Sequence, residues 1–216
     1  PQALYLPEPA DKILRKHRIK LTIKTYAMKR KYFIASLPFA LLSMKNLAAQ
    51  TTYEKGEKML IVYYSWSGNT RYAANIIKDI LKCDILEVLP EKPYPSDYNE
   101  TVAIAKKEAD AEFKPKIKTK VSNLQEYGTI ILGSPNWWGS IASPIRTFLA
   151  ENDMSGKKLV PFMTHEGSRM GRSIKEVKKL CPKSEILDAL PIRGGSVKGS
   201  KAEIEKWLRL NGLLGK

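Results

Sequence analysis

The run Met59-Leu60-Ile61-Val62-Tyr63-Tyr64-Ser65 is apolar and β-rich without alternation, the pattern of a strand buried on both faces. The period then changes. Between Thr70 and Leu81, residues Ala73, Ala74, Ile76, Ile77, Ile80 and Leu81 recur at helical spacing and predict an amphipathic helix. A short strand over Cys83 to Leu89 follows, then a turn through Pro90, Pro93 and Pro95, and Tyr98 to Phe113 reads as a helix. Thr129 to Gly133 is a second fully apolar strand, with Ile145 to Leu149 in the helix after it. Lys158 to Thr164 predicts a third central strand, Ser173 to Leu180 a helix, Glu185 to Leu190 a strand, and Lys201 to Leu210 a closing helix. Strand–helix units of roughly thirty residues predict an α/β/α sandwich. Its five-stranded parallel sheet would be wound by right-handed crossovers.

Upstream of the first strand the pattern differs. Met28-Lys29-Arg30-Lys31 precedes an apolar run from Tyr32 to Met44, and Leu47-Ala48-Ala49-Gln50 follows. A basic segment, about a dozen apolar residues and then small residues describe a secretory signal peptide. The run is too short for a span of roughly 20 residues, and Pro38 interrupts it. Residues 1–27 are read as a disordered basic leader, 28–50 as the export signal, 51–58 as a linker and 59–216 as the folded domain. The mature protein would then be exported, periplasmic or secreted, with no stable membrane span after cleavage.

Charge first suggests a different function. The 216 residues carry 37 Lys and Arg against 22 Asp and Glu, a net +15, which fits a nucleic-acid binder. Residues 1–50, however, hold ten basic and two acidic side chains, leaving 27 and 20 for the remainder. Once the leader and signal are removed, nucleic-acid binding loses most of its support. Lys114, Lys116, Lys118 and Lys120 then read as a solvated connection, or as a docking surface for an acidic partner. Cys83 and Cys181 are the only cysteines, and His17 and His165 the only histidines, so a structural zinc site is all but excluded. Both cysteines are expected as free thiols.

In a doubly wound sheet, ligands bind outside the carboxyl ends of the strands. Three loops with unusual chemistry leave those ends. Ser65-Trp66-Ser67-Gly68-Asn69-Thr70 offers hydroxyls and a Gly at a helix start, where unpaired N–H groups and the dipole attract phosphate. Read conservatively, it is a helix capped by Asn69 or Thr70. No Gly-Lys-Ser/Thr makes it a nucleoside-triphosphate loop, and no Gly-x-Gly-x-x-Gly a dinucleotide site. Pro135-Asn136-Trp137-Trp138-Gly139 sets two indoles at a strand tip, where large aromatics usually face something flat, although one of the two is expected to pack on a neighbouring helix. Thr164-His165-Glu166-Gly167-Ser168 offers hydroxyls and an imidazole to a ring edge; the plain alternative is a solvated His165.

Together these loops carry a resemblance. Ile61 to Thr70, continued through Ala74 to Ile77, resembles the phosphate-loop signature of the flavodoxin family, and the other two segments are similar to the loops that flank its flavin. The likeness runs from about Met59 to Asn211 and is of the short-chain type. It implies strand order 2-1-3-4-5 and bound FMN. Ser65, Trp66, Ser67, Gly68, Asn69 and Thr70 would then meet the phosphate. Pro135, Asn136, Trp137, Trp138 and Gly139 would lie on one side of the ring, with Trp138 the stacking candidate and Trp137 its competitor. The Gly139 peptide matches one that reorients toward the flavin N5 in some members. Thr164, His165, Glu166, Gly167 and Ser168 would line the other side.

Two departures from the family matter. Many members are strongly acidic and place an acid after the stacking aromatic and Gly, where this chain has Ser140. Arg71, Arg146, Arg169 and Arg172 lie in or near the loops. Less negative charge around the ring implies a less negative low-potential couple than in an acidic member.

The resulting expectation is an FMN-binding redox protein, a monomer or weak dimer, passing electrons to a partner protein or a small-molecule acceptor. No catalytic side chain and no metal ligand is assigned. The competing functions are an NAD(P)H-dependent quinone or flavin reductase and a degenerate flavodoxin-like module that binds without redox work. Other α/β enzymes fit less well. A phosphorelay receiver needs acids where Tyr63-Tyr64-Ser65 stand, a Cys-x5-Arg phosphatase finds Leu89 and Leu187 at the required positions, and Gly-x-Ser-x-Gly is absent.

Overall fold

A computed structural model gives the structure of residues 57–214. The leader, the export signal and all but the end of the linker lie outside the described residues.

Among the described residues, seven strands and five α-helices make a three-layer α/β/α sandwich. In chain order they are β1 (Lys58–Tyr63), α1 (Asn69–Leu81), β2 (Asp84–Glu87), α2 (Tyr98–Asp110), β3 (Tyr127–Trp137) and β4 (Ser140–Ile141). Then come α3 (Ser143–Glu151), β5 (Lys158–His165), α4 (Ser173–Leu180), β6 (Glu185–Ile186), β7 (Leu190–Arg193) and α5 (Lys201–Leu210). The parallel sheet runs β2-β1-β3-β5, and both β6 and β7 pair with β5 at the far edge.

The continuous apolar runs divide by parity between the two faces. Ile61, Ile131, Val160 and Phe162 pack with Ala73, Ala74 and Ile77 of α1 and with Ile204, Trp207 and Leu208 of α5. Leu60, Val62, Ile130, Leu132, Leu159 and Met163 point the other way, onto Ile145, Phe148 and Leu149 of α3 and Val177 of α4. Burial on both sides is why β1, β3 and β5 show no alternation in sequence.

Three expectations need correction. The last strand is not continuous: from Leu159↔Ile186 to Phe162↔Leu190, β5 advances three residues and its partner four. Pro161 has no N–H to donate, and the Asp188 carbonyl is taken by Trp207 Nε1–H (2.7 Å) and Asn211 Nδ2–H (3.2 Å). Helix α2 ends at Asp110, because Glu112 adopts φ 48° and turns the chain away before Phe113. A two-stranded hairpin, β3–β4, was not expected at all: Asn136↔Ile141 and Trp137↔Ser140 pair antiparallel around Trp138-Gly139.

Candidate functional site

Strands β1, β3 and β5 are neighbours and parallel, so the loops that leave their carboxyl ends meet at one edge of the sheet. The β1 loop turns into α1 at Gly68 (φ 94°), a backbone conformation that a side chain disfavours. The buried Ser65 hydroxyl accepts the Gly68 N–H at 3.2 Å. No side chain caps α1, which corrects the expectation of a cap at Asn69 or Thr70. The first intrahelical bond is Tyr72 N–H to Gly68 O, so the N–H groups of Asn69, Thr70 and Arg71 open outward without intrahelical partners. The Thr70 hydroxyl turns instead to Thr164, 2.7 Å away and buried, joining the first loop to the third. Ser67 is exposed. Trp66 braces the loop from behind: its Nε1–H donates to Pro95 O at 2.9 Å and its ring lies 6.2 Å from that of Tyr98.

The two adjacent indoles part company. Trp137 stands edge-on to Tyr64 (5.6 Å) and Tyr94 (4.9 Å) and belongs to the core face of the sheet. Burial pushes both phenols well above the ordinary tyrosine range, and Tyr94 donates its hydroxyl to Glu108 at 2.6 Å. Trp138 instead is 49% exposed and sits at φ 53°, with Gly139 at φ 77°. Two consecutive positive φ values in a two-residue loop make a type I′ turn, normally filled by Asn, Asp or Gly. A tryptophan there is strained.

The turn is held firmly from beneath. The Gly139 carbonyl accepts the Arg172 N–H at 2.6 Å. Gly171 lies so close that a Cβ there would come within 2.4 Å of the Gly139 oxygen. Ser140 is fully buried and donates to Glu176, whose carboxylate also takes Arg146 Nε–H. Arg146, only 2% exposed, also donates to Phe113 O, Ser143 Oγ and Ser140 Oγ at 3.0 to 3.2 Å and to Ile141 O at 3.5 Å. Asn136 donates from Nδ2 to Arg169 O at 2.6 Å, which ties the second loop to the third, while its buried Oδ1 meets no donor. Pro135 is half-buried, paired in register with Thr164.

In the third loop, His165 Nδ1 accepts the Gly167 N–H at 2.9 Å, which leaves the proton of the neutral ring on Nε2. Burial, then the nearby Arg169, holds the imidazole below its ordinary value, with Glu166 opposing. Glu166 and Asn69 converge over Gly194, just after β7: a Cβ at Gly194 would lie 2.1 Å from Glu166 Oε1 and 2.5 Å from Asn69 Nδ2. Gly167 and Ser168 are exposed.

The sequence places Arg146 and Arg172 near the three loops as charges but does not show what holds the loops: the Arg172 N–H on Gly139, Gly171 and Gly194, and the Arg146–Glu176 pair. Two glycines after polar loop residues were the only available signal. The expected electrostatics also change. Of the four arginines near the loops, Arg71 is paired with Glu87 (2.5 and 3.2 Å) and Arg146 with Glu176, while Arg169 and Arg172 form no ion pair with a carboxylate among the described residues. Cavities of about 520 and 550 Å³ lie beside β2 and between α2 and α4, and neither is lined by a residue predicted for the site. Among the described residues, no helix is long and apolar enough to cross a membrane, and no three His, Cys, Asp or Glu side chains could hold a metal ion.

Residues 58–211 match the family profile described as Flavodoxin. A structure described as a flavoprotein from Bacteroides eggerthii is 29% identical with TM-score 0.63, over 71% of this chain and 96% of that one. Another, from Bacteroides uniformis, is 28% identical with TM-score 0.62, over 69% and 99%. A flavoprotein from Lactobacillus acidophilus in complex with FMN is 27% identical with TM-score 0.57, over 70% and 98%. No curated protein matches the chain.

Proposed function

Because the chain belongs to the flavodoxin family, we propose that it binds FMN across these three loops and passes electrons through it to a partner protein or a small acceptor. One observation carries the reading: an uncapped helix start with a hydroxyl-bearing approach opens at the same sheet edge as a half-exposed indole. The first suits a phosphate and the second a flat aromatic ring. The unpartnered Asn136 Oδ1, buried between the second and third loops, supplies an acceptor for a ring N–H. The residues fit the group.

The N–H groups of Asn69, Thr70 and Arg71, with the Ser67 hydroxyl, would take the phosphate, and Trp138 would take one face of the ring. Thr164 would hold the phosphate loop in place through Thr70. His165, kept neutral, would offer an Nε2–H donor at the ring edge. Bound FMN supplies one- and two-electron redox chemistry, and stacking, hydrogen bonds and nearby charge set its potential. Two unpaired arginines, Arg169 and Arg172, still favour a less negative couple than an acidic surface would give.

Export is part of the same proposal, supported by the basic, apolar and small-residue succession of 28–50. Titrating the full chain with FMN tests the site. Saturable binding with the flavin absorption bands perturbed is expected, and colourless protein that takes up no FMN would leave the binding-module reading. Oxidation of NAD(P)H by the flavin-loaded protein alone would instead favour the reductase.

A further inference from the structure

Trp138 occupies a left-handed backbone position that a bulky L-residue disfavours, and its side chain is only half covered. Strain at an exposed aromatic needs a compensating hold, and α2 provides it. The indole Nε1–H donates to Val102 O at 3.0 Å. One helical turn further along, Lys106 Nζ stands 5.3 Å from the centroid of the ring. The same ammonium is 2.7 Å from Asp110 Oδ2, one turn on again. Val102, Lys106 and Asp110 are spaced four apart, so they form one stripe along α2. The indole is pinned at its polar tip by the first and against its π-face by the second, with the third holding the second in place.

We propose that Lys106, fixed by Asp110, is a positioning residue for Trp138 and, through it, for the flat ring that the turn receives. The inference rests on the FMN reading for its ligand but not for its geometry. A cation against one face of an indole attracts its π-electrons, which fixes the ring plane and makes the opposite face more favourable to an electron-rich partner. A surface Lys–Asp pair at this spacing is by itself worth little. What distinguishes this one is that the ammonium sits between the carboxylate and an aromatic ring.

The test uses the full chain and the substitutions Lys106→Met, Lys106→Arg and Asp110→Asn. The Trp138 signal is read without ligand, as the near-ultraviolet circular dichroism lost on Trp138→Phe. FMN affinity is read by calorimetry, and the midpoint potential by titration of the loaded protein. Lys106→Met should erase most of the Trp138 signal, weaken FMN about three- to tenfold and lower the potential, with Tm lowered by no more than a few degrees. Lys106→Arg should restore all three, and Asp110→Asn should fall between. The proposal is overturned if Lys106→Met keeps the Trp138 signal and the affinity, or if Lys106→Arg loses as much as Met. If the wild type takes up no FMN while its Trp138 signal still depends on Lys106, the flavin reading fails and the positioning role stands.

Discussion

The hydroxyl of Thr70, in the first turn of α1, lies 2.7 Å from the hydroxyl of Thr164, at the end of β5, and both residues are almost wholly buried. This bond joins two of the three loops across the sheet edge. Removing one partner strands the other without water. Thr70→Ala and Thr164→Ala should each cost about 1–3 kcal/mol, while Thr70→Val combined with Thr164→Val should cost less than the two single valine changes added. A double-mutant cycle by urea denaturation measures the coupling, and strictly additive values would show that the bond is not formed.

Trp138 sets stability against binding. Glycine suits a type I′ turn at this position, so Trp138→Gly should raise stability by up to about 1 kcal/mol even though it gives up the bond to Val102. Trp138→Ala keeps the strain and should gain nothing. Both should weaken FMN roughly five- to 150-fold if stacking contributes about 1–3 kcal/mol, as it does for aromatic bases. Thermal melts and calorimetry on the two variants separate the effects; a Gly variant that binds as well as wild type would remove Trp138 from the site.

The buried Arg146–Glu176 pair supports the same turn from below through Ser140. Glu176→Gln or Arg146→Met leaves one charge buried, and each should cost about 3–5 kcal/mol. Arg146→Lys should rescue little, because an ammonium cannot reach Glu176, Phe113 O and Ser143 together as the guanidinium fork does. Chemical denaturation of the three variants gives the ranking, and a fully stable lysine variant would show that only charge matters.

Among the described residues His165 is the one imidazole, so its titration can be followed by NMR. Burial and Arg169 depress its pKa in the fold. Below the unfolded value of about 6.5 the unfolded chain takes up the proton first. Its contribution to stability is therefore complete above that pH and is lost as pH falls toward the folded value. Arg169→Ala should move the titration upward. A folded His165 that titrates at or above the free value would contradict the burial seen here.

Burial pushes both thiols up to about 11, and both cysteines are free. Iodoacetamide at neutral pH should leave the native mass almost unchanged and add two groups after unfolding. Rapid labelling of the native protein would mean that Cys83 or Cys181 is more open than the fold allows.

The layer order and the three loops were legible in the sequence because strands buried on both faces announce themselves as unbroken apolar runs. The boundaries of α4 (Ser173–Leu180) and α5 (Lys201–Leu210) were also legible. What the pattern could not show depends on contacts between distant residues. The split of the last strand depends on Pro161 and on Trp207 and Asn211 of α5. The β3–β4 hairpin was hidden because Trp138-Gly139 is not a usual turn pair. The two indoles are identical in sequence terms, and only Tyr64 and Tyr94 mark Trp137 as the core member. Arg71 and Arg146 read as free charges near the ring until Glu87 and Glu176 were found beside them.

Residues 114–120 cross beside the end of β2, the short strand at one margin of the sheet. Ile117 faces in and bridges Pro90, the Thr119 hydroxyl takes the Leu89 N–H and bonds Glu87 O, and Lys114, Lys116, Lys118 and Lys120 all stand outward. Two copies that meet along this margin bring like-charged rows together before any interchain β-pairing can begin. Neutralising these lysines should therefore lower the concentration at which the protein aggregates.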